Sequence, residues 1–304
     1  MALKIIKASE PIIVEQLVVV IYGQPGIGKS TLAFSAEDPL LLDFDKGAYR
    51  ASGRKDIVKI NSWSDITQIS KDDLSQYKSI ILDTAGRALD FLTATLLKEN
   101  HKWNFNGALT LQGYGVLKSR FAAWLNNLKT LGKDVILLAH SSEEKNGDEI
   151  LERLDVQGGS KAEIYKQADA MGRLYIDDKK RMLSFSPTDT AFGKNPANLD
   201  IMQVPDVSEN SLFLAELIFN IKESLNKMSD EQKIRQERIA EWKIKLDAAK
   251  EAEDFNNLIS EAKKAHRDIV QTVKGMLHKS ATEAGLIYKN GEGYIMPEKA
   301  EEKK

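Results

Sequence analysis

Gly23-Gln24-Pro25-Gly26-Ile27-Gly28-Lys29-Ser30-Thr31 stands directly behind the apolar run LVVVIY (Leu17–Tyr22) and opens into the helix-forming TLAFSA (Thr31–Ala36). It is a complete GxxxxGK[ST] pattern in a strand–loop–helix setting, the context that makes this motif specific. Glycines let the loop wrap with its N–H groups turned inward, and the helix terminus that follows adds a dipole favourable to phosphate oxygens. Lys29 is placed to reach β/γ-phosphates and the Ser30 hydroxyl to ligate Mg2+.

Outward from this loop, short apolar runs alternate with amphipathic segments as far as about Asp200: Leu40–Asp43, Ile57–Ile60, Ser79–Asp83, Val135–Ala139, Met171–Ile176 and Arg181–Phe185. Leu17–Tyr22, LLLD, SIILD and VILLA are nearly continuous apolar runs, as parallel strands buried on both faces require. The pattern predicts an α/β fold with a mainly parallel sheet. The last two runs, split by Asp177-Asp178-Lys179-Lys180, predict an antiparallel hairpin.

Three polar residues end these strands. Asp83 closes SIILD, where its carboxylate either holds Mg2+ through water or caps the helix that starts near Ala85. Asp45 follows LLLD in Phe44-Asp45-Lys46-Gly47, where it either polarises an attacking water or, with Asp43, begins a turn. His140 closes VILLA at the carboxyl edge where ligands of open parallel sheets bind, a satisfied structural histidine being the alternative.

Asp83-Thr84-Ala85-Gly86-Arg87 also fits DxxG and resembles the signal-recognition-particle GTPases. Those proteins read guanine with [NT]KxD after a later strand. Here VILLA leads into His140-Ser141-Ser142-Glu143, and NKMSD at Asn226 has the wrong spacing, so guanine specificity has no source in the chain. The order of P-loop, acid after the next strand, strand ending in Asp and strand ending in a polar residue resembles the RecA-like ATPase core. Over about Leu17–Leu199 it is most similar to phage-encoded RecA-like ATP-binding proteins, some of which are single-strand annealing recombinases.

The resemblance implies a RecA-like P-loop NTPase fold, ATP and Mg2+ as cofactors, and ATP hydrolysis. It puts Asp45 at the catalytic acid position and His140 at the γ-phosphate sensor position. Gln157-Gly158-Gly159-Ser160-Lys161 looks like the close of the second DNA-binding loop. Contact with single-stranded DNA would then fall to Glu99–Gly113, where Lys102, Trp103 and Phe105 suit stacking beside a phosphate contact, and to Ser141–Ser160 with Lys161, Lys145 or Arg153. The alternative for both segments is a mobile loop whose aromatics pack on the core. RecA-like rings and filaments further imply a cation reaching a neighbouring subunit's ATP site, with Lys194 favoured over Lys179, Lys180 and Arg181. The chain departs from RecA in having Asp45 for Glu, His140 for Gln, and only about sixteen residues ahead of the first strand, too few for the longer polymerisation helix.

The whole chain has 304 residues, 43 Lys+Arg against 45 Asp+Glu, 42% hydrophobic residues and no cysteine. That excludes a disulfide scaffold, a thiolate zinc site and a cysteine nucleophile, and fits a reducing cytoplasm, which the phage resemblance implies is that of a bacterial host. No stretch approaches the ~20 apolar residues that span a bilayer, so no membrane partner is expected. A net charge of −2 excludes nucleic-acid binding by the whole surface, though not by a local groove. The Pro-rich exit Ser186–Pro205 predicts a core over residues 1–205, a helical region over 206–296 and a disordered tail over 297–304. In the helical region Leu214, Leu217, Ile218, Ile221 and Leu225 recur at helical spacing, Ser229-Asp230-Glu231-Gln232 reads as a capping box opening a helical hairpin to His278, and no strand is expected. The expected function is ATP-dependent assembly, as a ring or filament, on single-stranded DNA to promote annealing or recombination, with a single-strand-binding protein as a further partner. A nucleotide switch or loader acting on a protein, and a helicase or packaging motor, are the alternatives.

Overall fold

Val18–Gly23, buried along its whole length, forms β1 in the interior of a nine-stranded sheet. The structure is a computed structural model that describes residues 13–147, 149–157, 160–267 and 269–297. After β1 come α1 (Lys29–Ala33), β2 (Pro39–Asp43), β3 (Asp56–Lys59), α2 (Trp63–Thr67), β4 (Ser79–Asp83), α3 (Ala85–Glu99), β5 (Asn104–Phe105), β6 (Ala108–Leu109) and α4 (Leu111–Thr130). They are followed by β7 (Asp134–Asn146), β8 (Glu149–Leu154), α5 (Ser160–Gln167), β9 (Ala170–Asp177), β10 (Lys180–Ser184), β11 (Met202–Gln203) and α6 (Phe213–Ala248). The last elements are α7 (Ala252–Ala262), α8 (Val270–Glu283), β12 (Ile287–Lys289) and β13 (Gly293–Ile295).

The strands lie in the order β11-β10-β9-β1-β7-β4-β2-β3, with β8 paired to the outer part of β7. From β9 to β3 every pairing is parallel, while β10 and β11 are antiparallel. Alternation along the buried strands feeds two layers. Val18, Val20 and Tyr22 face α2, α3, α4 and α5, whereas Val19 and Ile21 face α1 and the first turns of α6. Connections that advance toward β3 lie on the α1 face and those that return lie on the other, as right-handed crossovers demand. The chain leaves β1 toward β2 and β7 toward β9, in opposite directions, so the carboxyl ends of β1 and β7 flank a crevice. This is the RecA-like P-loop arrangement expected from the motif order.

Every strand of the core expected from apolar runs is present, but two segments read as loops are hairpins. Residues 104–109 form β5–β6, whose Asn106 and Gly107 both have positive φ, 51° and 86°. β7 and β8 form a long hairpin, whose outermost pair is Asn146↔Glu149. The Gly158-Gly159 pair expected to close the second loop lies outside the described residues.

The described residues divide into two compact units, one within 14–225 and the other within 226–297. The first runs past the Pro-rich exit because Leu214, Leu217, Ile218 and Ile221 of α6 are buried in the α1-side layer. Helix α6 also continues without a break through the expected capping box at Ser229, where no new helix starts. In the second unit Trp242, Leu246, Phe255, Val273, Leu277 and Tyr294 share a core. That unit contains the β12–β13 hairpin, contrary to the expectation of helices alone. Residues 298–304 of the expected tail lie outside the described residues. Among the described residues no helix is long and apolar enough to cross a membrane.

Candidate active site

The loop between β1 and α1 owes its path to glycine. Gly26 and Gly28 have φ of 78° and 100°, a region L side chains rarely adopt. A Cβ at Gly23 would stand 2.2 Å from the carbonyl oxygen of Leu174 on β9. The loop folds over Lys29, which is 5% exposed, and its Nζ donates to the carbonyls of Gly23 at 2.9 Å and Gln24 at 2.8 Å. Ile27 packs on the α1-side layer, and Thr31 Oγ1 accepts from the Ser52 N–H at 3.2 Å. Gln24, Pro25 and Gly26 face outward at the crest.

Sheet order brings the other groups in. β7 lies between β1 and β4, with His140 opposite Gly23 and Leu138 opposite Asp83. His140 Nδ1 is 3.2 Å from Lys29 Nζ. Ser30 Oγ donates to Asp83 Oδ2 at 2.5 Å. The cap of α3 is Thr84, which accepts from the Arg87 N–H, so the Asp83 carboxylate is turned to Ser30 instead of the helix end.

Burial governs the charges here. It lowers the Lys29 ammonium to about 8, against the pull of Asp83 and Asp45. Burial, then the Lys29 charge, lowers His140, so the imidazole is neutral at pH 7 and Nδ1 accepts from Lys29. Burial raises Asp83, with Asp43 and Asp45 adding to it and the Ser30 hydrogen bond opposing.

The acids at the end of β2 and just past it have separate work. Asp43 takes the N–H groups of Gly47 at 3.1 Å and Ala48 at 3.3 Å and so builds the turn. Asp45 is left at a cavity of about 350 Å³ bounded by Arg87, His140, Asp155 and Gln157. Arg87 Nε lies 3.4 Å from Asp45 and its Nη1 lies 3.3 Å from Asp90. Asp90 in turn accepts from Gln157 Nε2, so a chain of polar contacts runs from Asp45 to the foot of the β7–β8 hairpin. Gly86 allows this closeness: a Cβ there would be 2.9 Å from the Asp155 carbonyl oxygen. The match to DxxG is thus accounted for by packing. Arg87 was missed as a site residue, although it stands four residues past Asp83, one helical turn on in the same segment.

Ser30 and Asp83 offer hard oxygen donors that already converge, and among the described residues no group of three or more His, Cys, Asp or Glu could hold a metal. That donor set fits Mg2+, which takes one or two protein oxygens and completes its shell with water and phosphate.

The remaining expected residues are dispersed. Lys194 pairs through its backbone with Met171 and donates its amine to the Ala168 carbonyl, at the amino edge of β9 and away from the P-loop. Arg181, expected to face a neighbour, turns to its own loop: its Nη1 would lie 3.0 Å from a Cβ at Gly28, and Asp206 holds it at 3.0 Å. Lys179 and Lys180 are exposed at the turn. Lys102 and Phe105 are exposed, but Trp103 packs half-buried against the core beside Gly113. Lys161 is engaged by Glu144.

The chain belongs to the family described as AAA domain, which matches residues 15–197. It is 27% identical over 143 residues to the SPbeta prophage-derived protein YorG of Bacillus subtilis (strain 168), a match covering 44% of this chain and 43% of that protein. The chain thus spans less than half the length of that relative. A KaiC-like protein of Pyrococcus horikoshii OT3 overlays 64% of this chain and 91% of its own at 14% identity, with a TM-score of 0.33.

Proposed function

From membership in the AAA domain family, we propose that this protein hydrolyses ATP at the P-loop edge and uses the cycle to act on single-stranded DNA, promoting annealing or recombination. The observation that carries the hydrolytic part is the convergence of Lys29, Ser30, Asp83 and His140 with Asp45 at the neighbouring cavity. Water attacks the γ-phosphorus in line, the bond to the β-bridging oxygen breaks, ADP leaves, and Asp45 accepts the water proton. Lys29 offsets the phosphate charge, while His140, which touches Lys29, senses whether the phosphate is present. Ser30 and Asp83 would hold Mg2+, which would supply charge neutralisation on the phosphate oxygens. Arg87 orients Asp45.

The DNA part is supported by the RecA-like motif order and by Phe105, 69% exposed beside the exposed Lys102. Assembly with other copies, with Lys194 acting across the interface, belongs to the same proposal. A second reading, a nucleotide switch acting on a protein partner, is favoured by one feature. The β7–β8 hairpin, rooted in His140, bears Glu143, Glu144, Glu149 and Glu152 against Lys145 and Arg153, a balance that repels a phosphate backbone. Phosphate release with and without poly(dT) decides between them. Stimulation of several-fold that is lost in Lys29→Ala supports the DNA reading, and turnover indifferent to poly(dT) supports the switch.

A further inference from the structure

A second large cavity lies outside the ATP site. It measures about 600 Å³ and runs beside β3, the edge strand, from Arg54 and Lys55 past Ile57 to Lys59 and Asn61, with Lys46 and Tyr49 on its other wall. Among the described residues none of Lys46, Arg54, Lys55 and Lys59 has a carboxylate within ion-pair distance, and all four are exposed. The two acids in the wall are occupied: Asp43 by the Gly47 and Ala48 N–H groups, Asp56 by the Tyr77 hydroxyl at 2.9 Å. Four cations, none of them in an ion pair, against two carboxylates thus line one trough and leave it with an excess of positive charge. Tyr49 stands at its rim with 70% of its surface free, and the Arg50 guanidinium lies 5.2 Å from the ring centroid. Arg50 also reaches to 3.8 Å from Asp45, so the trough abuts the ATP site.

We propose that this groove, and not the β7–β8 hairpin, is the track for single-stranded nucleic acid. The inference rests on the DNA reading of the function and names the surface that serves it. Unpaired cations along a trough bind a phosphate backbone by counterion release, and an exposed aromatic at the rim stacks on an unpaired base regardless of sequence. A duplex keeps its bases stacked inside, whereas a single strand presents a base face to Tyr49.

The test is fluorescence anisotropy of labelled oligo(dT) with the intact protein and a non-hydrolysable ATP analogue, across a salt series. Arg54→Ala/Lys55→Ala/Lys59→Ala is expected to bind at least tenfold more weakly, with a log–log salt slope shallower by about 2, since each single-strand phosphate contact contributes about 0.7. Tyr49→Ala is expected to lose about fivefold with the slope unchanged. The charge-matched Lys243→Ala/Lys250→Ala/Lys263→Ala is expected to bind as the unaltered protein does. Photocrosslinking of 5-iodouracil oligonucleotide to the unaltered protein is expected to label the Tyr49 peptide, which needs no variant to fold. If the unaltered protein binds no single strand, the DNA reading itself falls. If it binds and the groove triple variant binds equally, the groove alone is overturned. If inorganic polyphosphate competes as well as oligo(dT) and Tyr49→Ala has no effect, the groove is a general polyanion site and the assignment to nucleic acid fails.

Discussion

Lys29 is a charge held in a place that penalises charge. Its nearest neighbours are two carbonyl oxygens and a neutral imidazole, and burial lowers it to about 8 from an ordinary 10.5. A bound triphosphate restores the proton, so binding takes up a proton once the free site has lost it. ATP affinity is therefore expected to hold to about pH 8 and to weaken about tenfold by pH 9, seen by calorimetric titration in buffers of different ionisation enthalpy. Folding stability moves the other way. Between about 8 and 10.5 the unfolded chain still binds the proton that the native site has released, so nucleotide-free stability gains from this residue as pH rises across that window. Lys29→Ala removes both trends and nearly all turnover. The acids separate by position: Asp83→Asn weakens Mg2+-dependent ATP binding, whereas Asp45→Asn spares binding and slows hydrolysis by a factor on the order of 10²–10⁴. Loss of binding in both variants, measured with fluorescent ATP, removes the role given to Asp45. Arg87→Ala is expected to lower kcat with KM little changed, and Arg87→Lys to recover part of it.

At the scale of elements, Gly86 fixes how closely α3 meets the foot of the β7–β8 hairpin. Gly86→Ala puts a methyl 2.9 Å from the backbone of Asp155, which a flexible side chain cannot relieve. A loss of about 1–3 kcal/mol in urea unfolding is expected, with slower hydrolysis because Gln157 and Arg87 shift together. An unchanged midpoint would falsify the close-approach argument. The P-loop, the parallel strands and the strand-end acids were legible in the sequence because their signals are local: a glycine pattern, unbroken apolar runs, one carboxylate at each end. The β9–β10 hairpin is legible from the charged turn that splits its two apolar runs, but β5–β6, β7–β8 and β12–β13 are not, although Asn106-Gly107, Asn146-Gly147 and Asn290-Gly291 mark them with a turn dipeptide that favours positive φ. Polar composition between strands reads as loop, whereas alternation on either side of each Asn-Gly pair is the better guide. Contacts such as Lys29 with His140, 111 residues apart, needed the strand order, which no local signal supplies.

Across the whole molecule, every group of the proposed ATP site and both apolar layers of the sheet lie in residues 14–225. The Pro-rich segment attracted a boundary at residue 205 because it changes composition, yet composition does not report where a helix is seated. Leu214, Leu217, Ile218 and Ile221 are each at most 5% exposed, and burying such a side chain contributes about 1.5–3 kcal/mol. A chain cut after residue 205 loses all four and uncovers the α1-side layer beneath them. Such a chain is expected to aggregate or to lack a cooperative transition, while one spanning residues 14–225 melts cooperatively and binds ATP within about twofold of the full protein. Mg2+ and ATP at a hundred times the dissociation constant are expected to stabilise the longer fragment by about 2.7 kcal/mol, read from its thermal transition. If the chain ending at 205 melts and binds equally well, the first turns of α6 are ornamental to the ATP-binding unit and the composition boundary was the physical one.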